Sequence, residues 1–133
     1  MSKLTIGYRQ NNPGNLRHYP VNNWQGLVLP LQTGAFARFD TLENGARAAS
    51  KDVKGDIERR GQNTVRRLLE AYAPKIENNT EAYIKTVAGA LGISDQAPLS
   101  WPLHGERLMM AIFKHENGYI IEPEKLKRGI ALA

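Results

Sequence analysis

The strongest constraint on this chain is a succession of apolar stripes at helical spacing that begins near residue 41 and runs almost to the end. Leu42, Ala46, Ala49, Val53 and Ile57 recur at intervals of three and four behind Thr41, whose side chain can cap a helix start. Gly61 closes that stripe. Thr64 precedes a second one, Val65, Leu68, Leu69 and Tyr72, which Pro74 stops because proline has no amide hydrogen to continue a helix. Asn79 or Thr80 opens a third, with Tyr83, Ile84, Val87, Ala88 and Leu91 on one face and Gly92 behind it. A fourth runs from about His104 to Asn117, carries Leu108, Met109, Ile112 and Phe113, and ends at Gly118. Residues 94–102, with Pro98 and Pro102, are expected to form a loop. Glu124 to Leu132 reads as a short amphipathic helix.

Residues 7–40 have a different character, rich in Asn, Gly, Pro and aromatic side chains. Asn11-Asn12-Pro13-Gly14-Asn15 is a dense turn signal. The apolar runs Trp24–Val28 and Ala35–Phe39, interrupted by Pro30 and Gly34, predict a small β-hairpin or loosely paired strands. The expected fold class is mainly α (α+β), a single domain over residues 1–133 with a small β element near its N-terminus.

Composition narrows the chemistry. The 133 residues contain no cysteine, which excludes disulfides, a thiol nucleophile and thiolate zinc ligation. Nothing near Met1 resembles an export signal, and no apolar run approaches the roughly 18 residues of a membrane span. Synthesis in a bacterial cytoplasm without insertion into a membrane is therefore expected, with any later action outside it following lysis, export or delivery on a particle. The net charge of +5 suits an anionic polymer, nucleic acid or cell wall. Arg59, Arg60, Arg66 and Arg67 cluster, but Asp56, Glu58 and Glu70 stand among them, as on a solvated helix face.

Glu116 is the leading candidate for chemistry. It lies four residues beyond Ile112 and seven beyond Met109, so it continues an apolar stripe and points toward the core side. Partial burial and the negative end of a helix dipole both disfavour a carboxylate anion, and a carboxyl that keeps its proton is what general acid catalysis requires. The competing interpretation is a structural carboxylate in a fraying last turn.

Other candidates carry similar alternatives. Asn15 and Arg17 can donate to a sugar or acetamido group, or belong to a plain turn. Trp24 can stack on a sugar ring, or plug the core. Asp40 and Glu43 are candidates for the second carboxylate that glycosidases usually need, although Asp40-Thr41 fits ordinary helix-start chemistry better. His18, His104 and His115 lack metal-ligand spacing, and no metal or cofactor is expected.

Taken together these segments resemble a family. Asn11–Arg17, Trp24-Gln25-Gly26, Gly34–Asp40, Glu43–Ala48, Tyr72–Thr80 with Tyr83, and His115-Glu116-Asn117-Gly118 are similar, in this order, to small proteins encoded by phages and prophages and labelled virion structural proteins or peptidoglycan hydrolases. A second resemblance concerns chemistry. Ile112 to Gly118 looks like the apolar stripe, Glu, Ser/Asn, Gly pattern of lysozyme-like wall hydrolases, among them lytic transglycosylases and bacterial glucosaminidases. Residues 11–17, 24–26 and 36–40 resemble elements that follow the acid in the glucosaminidases. In those families the Glu-bearing helix comes first, whereas here it comes last. The resemblance therefore implies a circularly permuted lysozyme-like fold, with helix 104–117 beside the Asn12–Arg17 loop.

What the resemblance implies is a peptidoglycan glycosidase without a cofactor. Glu116 would protonate the glycosidic oxygen and, in a lytic transglycosylase, then act as base toward the muramic acid C6 hydroxyl, giving a 1,6-anhydro product. In a lysozyme a second carboxylate such as Asp40 would also matter. Asn15 and Arg17 would line the cleft opposite Glu116, with Asn12, Trp24 and Asn117 as further substrate contacts, and Tyr83 would correspond to the tyrosine such enzymes place near the acid. The implied partner is the glycan strand, with other virion proteins also possible. The alternative is a virion structural or wall-binding protein without chemistry. Nucleic-acid binding ranks last, because helix 104–117 is not a one-sided basic helix.

Overall fold

The computed structural model describes residues 4–29, 32–73 and 79–133, and within them the chain is mainly helical. Six helices follow in order: α1 (Ile6–Arg9), α2 (Leu42–Glu58), α3 (Val65–Tyr72), α4 (Thr80–Leu91), α5 (Trp101–Asn117) and α6 (Pro123–Ala131). The starts of α2, α3 and α4 are set by side-chain caps that satisfy otherwise orphaned amides. Thr41 Oγ1 accepts from Asn44 N at 3.1 Å, Thr64 Oγ1 from Arg67 N at 3.1 Å, and Asn79 Oδ1 from Ala82 N at 3.2 Å. The expected stop at Pro74 and the break at Pro30 lie outside the described residues.

Two helices differ from expectation. Helix α5 begins at Trp101, not near His104, so Pro102 sits in its first turn. A proline there sacrifices no intrahelical bond, because the first amides of a helix have no partner in any case. Helix α1 is one turn long, too short to leave a periodic signal, and is capped by Thr5 Oγ1 accepting from Tyr8 N.

Helix α5 is the centre of the packing. It contacts α1, α2, α4 and α6, while α2 also lies along α6 and α3 along α4. Leu108, Met109, Ile112 and Phe113 have no exposed surface. Each such burial contributes about 1.5–3 kcal/mol, so the four together fix which face of α5 turns inward. That choice determines where Glu116 emerges. No helix among the described residues is long and apolar enough to cross a membrane.

The expected hairpin is replaced by irregular pairing. Leu27 bridges to Phe39 and Arg17 to Phe36, both antiparallel, without extended strands among the described residues. Residues 35–40 serve both neighbours: Ala37 N donates to Leu16 O and Val28 N to Arg38 O, each at 2.9 Å. Asn12 takes up the remaining polar groups from inside. Its fully buried side chain accepts from Leu16 N and donates to Leu16 O and Ala37 O, all at 2.9 Å. A ladder interrupted by a side chain in this way cannot lengthen into regular strands.

The asparagine-rich loop is pressed against the helices at two glycines. The Asn11 carbonyl oxygen occupies the space that a Cβ at Gly45 of α2 would need. A Cβ at Gly14 would lie 2.6 Å from Tyr72 Oη and 2.7 Å from Ala49 Cβ. Gly14 thus serves close approach rather than an unusual backbone angle.

Candidate functional site

Glu116 occupies the last turn of α5 and is half-buried where the apolar stripe meets the surface. Its Oε1 accepts a hydrogen bond from Asn15 Nδ2 at 2.9 Å. Asn15 has a left-handed backbone, φ 52°, a conformation asparagine tolerates better than other residues with a Cβ. The Asn12–Arg17 loop and the end of α5 therefore meet.

A cleft of about 620 Å³ opens beside this pair. The loop contributes Asn15, Arg17 and Trp24 to its lining, with Tyr19, Asn22 and Phe36 nearby. The Arg17 guanidinium stands 4.3 Å over the Phe36 ring and donates to Gly34 O at 3.0 Å, so its charge is oriented along the wall. Opposite, α2 contributes Asp52 and Asp56, and α3 contributes Tyr72.

The lining residues that sequence reasoning missed include Asp52, Asp56 and Tyr72. The two aspartates lie one turn apart, so both face the same side of α2. Arg60 binds both, with Nε 2.5 Å from Asp56 Oδ1 and Nη2 3.3 Å from Asp52 Oδ1. Burial, then the Asp56 charge, pushes the Asp52 carboxyl above its ordinary range, and Arg60 opposes them. The spacing of these carboxylates was the only available signal in the sequence. Tyr72 ends the apolar stripe of α3, yet its hydroxyl reaches the loop and donates to Gly14 O in a short hydrogen bond. Burial raises this phenol well above its usual value, with Glu116, Asp52 and Asp56 adding to the effect.

Four predicted residues do not line the cleft. Asp40 is exposed, with Oδ1 accepting from Asn44 Nδ2 at 2.8 Å beside the start of α2. Its position matches the helix-start alternative, since a carboxylate is favoured there. Asn12 is buried among the backbone groups it satisfies. Asn117 is buried too: Nδ2 donates to Pro13 O at 2.8 Å and Phe113 O at 2.9 Å, and Oδ1 accepts from Thr5 Oγ1 at 2.6 Å. Asn117 holds the loop to α5, and Asn12 holds the loop to Ala37, so neither amide faces solvent.

Tyr83 is fully buried and stacks on His115, ring centroids 3.8 Å apart. Its hydroxyl makes no hydrogen bond of normal geometry, but burial and the nearby Glu116 carboxylate raise it well above the ordinary phenol value. It supports the α5 terminus from beneath. Among the described residues no cluster of three or more His, Cys, Asp or Glu side chains could hold a metal ion.

Helix α5 thus delivers a carboxylate to a polar, aromatic-edged cleft that Asp52, Asp56 and Tyr72 also line. The chain resembles a phage protein. Protein P5 of Pseudoalteromonas phage PM2 is 29% identical to it over 123 residues, spanning 89% of this chain and 74% of the phage protein. No family model matches the chain. The arrangement itself can position a polar polymer and move a proton at Glu116. Aromatic edges such as Trp24 and Tyr19 offer flat apolar surface to sugar rings, while Asn15, Asn22 and Arg17 offer donors.

Proposed function

We propose that this protein is a peptidoglycan glycosidase of phage or prophage type, a lytic transglycosylase in preference to a lysozyme, with Glu116 as acid and base. The observation that carries this reading is the Glu116 carboxylate held by Asn15 at the edge of a cleft of a size suited to part of a glycan strand. We read the fold as a circularly permuted lysozyme-like domain; the Glu-bearing helix at the C-terminal side, packed beside the Asn12–Arg17 loop, supports this. Similarity to a phage protein supports the phage assignment. The wall would be reached after lysis, export or virion delivery.

In the proposed reaction the Glu116 proton passes to the glycosidic oxygen as the bond from the muramic acid C1 breaks. The resulting carboxylate takes the C6 hydroxyl proton as O6 bonds to C1, which closes the 1,6-anhydro ring and returns the acid to its starting form. Transglycosylation is preferred because Asp52 and Asp56 are both engaged by Arg60. Among the described residues Glu116 has no cationic partner. Hydrolysis would instead require one of the aspartates to activate water.

The test is mass spectrometry of fragments released from purified sacculi. Anhydro-muropeptides released by the wild type support the transglycosylase reading, whereas reducing-end fragments would replace it with hydrolysis. Sedimentation with sacculi without any release would overturn the enzyme reading in favour of a wall-binding protein.

A further inference from the structure

Asn15 was expected to contact substrate, yet its amide is directed at Glu116, and its backbone is fixed from the other side. The residue before it, Gly14, presents its carbonyl to Tyr72 Oη, and this hydrogen bond spans 58 positions of sequence. Gly14 has no room to move toward α3 or α2, because a Cβ there would already touch Tyr72 Oη and Ala49. The turn is held on its own side too: Asn12 N donates to Gly7 O at 2.7 Å, and Asn15 N donates to Asn12 O at 3.1 Å. The Gly14–Asn15 peptide is thereby clamped between α3 and the loop, with Asn15 at φ 52°. In that backbone state its side chain reaches across to Oε1 of Glu116.

We infer that Tyr72 and Asn15 act as one positioning relay for Glu116: the tyrosine hydroxyl holds the Gly14 carbonyl, and the peptide so held presents the Asn15 amide to the carboxylate. This role rests on the glycosidase reading of Glu116. The relay holds Glu116 by Oε1 and so fixes where the carboxylate lies at the edge of the cleft. Neither relay residue needs to touch the reacting atoms. A displacement of the acid by about 1 Å is enough to cost on the order of 100-fold in rate, so a relay of two hydrogen bonds can have a kinetic effect far larger than its effect on stability.

The experiment compares wild type, Tyr72→Phe, Asn15→Gly and the double variant on sacculi, with E116Q alongside. Tyr72→Phe removes only the hydroxyl. Asn15→Gly removes the side chain while glycine adopts the same backbone angle without strain. Each single variant is expected to lower kcat by roughly 10- to 100-fold with KM nearly unchanged. The double variant is expected to be no slower than the worse single one, since both interrupt the same relay. Additive losses, or a raised KM with kcat intact, would overturn the relay and return Asn15 to substrate binding. Full kcat in both singles while E116Q is inactive would also overturn it, leaving the glycosidase reading standing. Absence of cleavage by the wild type would remove that reading and the relay together. Should Tyr72→Phe fail to fold, the kcat of Asn15→Gly alone decides.

Discussion

Asn117 Oδ1 accepts a 2.6 Å hydrogen bond from Thr5 Oγ1, joining the beginning of the described chain to the residue beside Glu116. The same asparagine donates to Pro13 O and to Phe113 O, so one buried amide ties α1, the asparagine-rich loop and α5 together. Asn117→Ala leaves the buried Pro13 carbonyl without this donor and is expected to destabilise the protein by about 2–4 kcal/mol. Urea unfolding measures this. A change below about 0.5 kcal/mol would mean that the amide does not tie the three segments.

Two glycine substitutions should have opposite signs. Gly45→Ala drives a methyl group into the Asn11 carbonyl, which is backbone and cannot swing aside, and should cost at least about 3 kcal/mol or prevent folding. Gly89, exposed on α4 with open space at its Cβ position, should gain about 0.5–1 kcal/mol on replacement by alanine. Thermal unfolding of the pair checks both. Equal effects would contradict the close approach at Gly45.

How much of this was legible in sequence depends on whether the signal was local. Thr41, Thr64 and Asn79 announced three helices because a cap and a following stripe are read within a few residues. Pro102 misled because the same residue that breaks a helix interior is neutral in a first turn. Asn12 and Asn117 were read as ligand contacts, since an amide that satisfies buried backbone looks in sequence like one that awaits a sugar. Asp52, Asp56 and Tyr72 escaped notice because their shared cleft is made by α2, α3 and a loop that meet only in the fold. The direction of Glu116 at the end of α5 was legible because the apolar stripe before it fixes which face turns inward.

Alkaline pH should unfold the protein through its tyrosines. The Tyr8 hydroxyl, bonded to Tyr119 O at 2.7 Å, is pushed up to about 12 by burial, and Tyr72 and Tyr83 are raised as well. The folded state thus holds these protons more tightly than the unfolded chain, whose tyrosines titrate near about 10. Their contribution is complete below that pH and is lost as pH rises through the folded values. Urea unfolding at increasing pH should show stability falling above about 10, and less steeply for Tyr8→Phe. A flat profile would contradict it.

Asp52 offers a prediction of the opposite kind. Its carboxyl is raised mainly by burial, so keeping it ionised costs stability once pH exceeds that raised value. Asp52→Asn should therefore raise the Tm at neutral pH, and the gain should vanish in acid where both side chains are neutral. A lower Tm at neutral pH would mean that the Arg60 contact outweighs burial.

The central claim is that Glu116 performs the chemistry, and the most direct measurement is the rate at which wild type and Glu116→Gln solubilise purified sacculi at equal concentration. Loss of a general acid should slow release by roughly 100- to 10,000-fold while the Tm stays close to that of the wild type. Release by Glu116→Gln within about twofold of the wild type would contradict the account, because no general acid can be replaced by an amide at so small a cost.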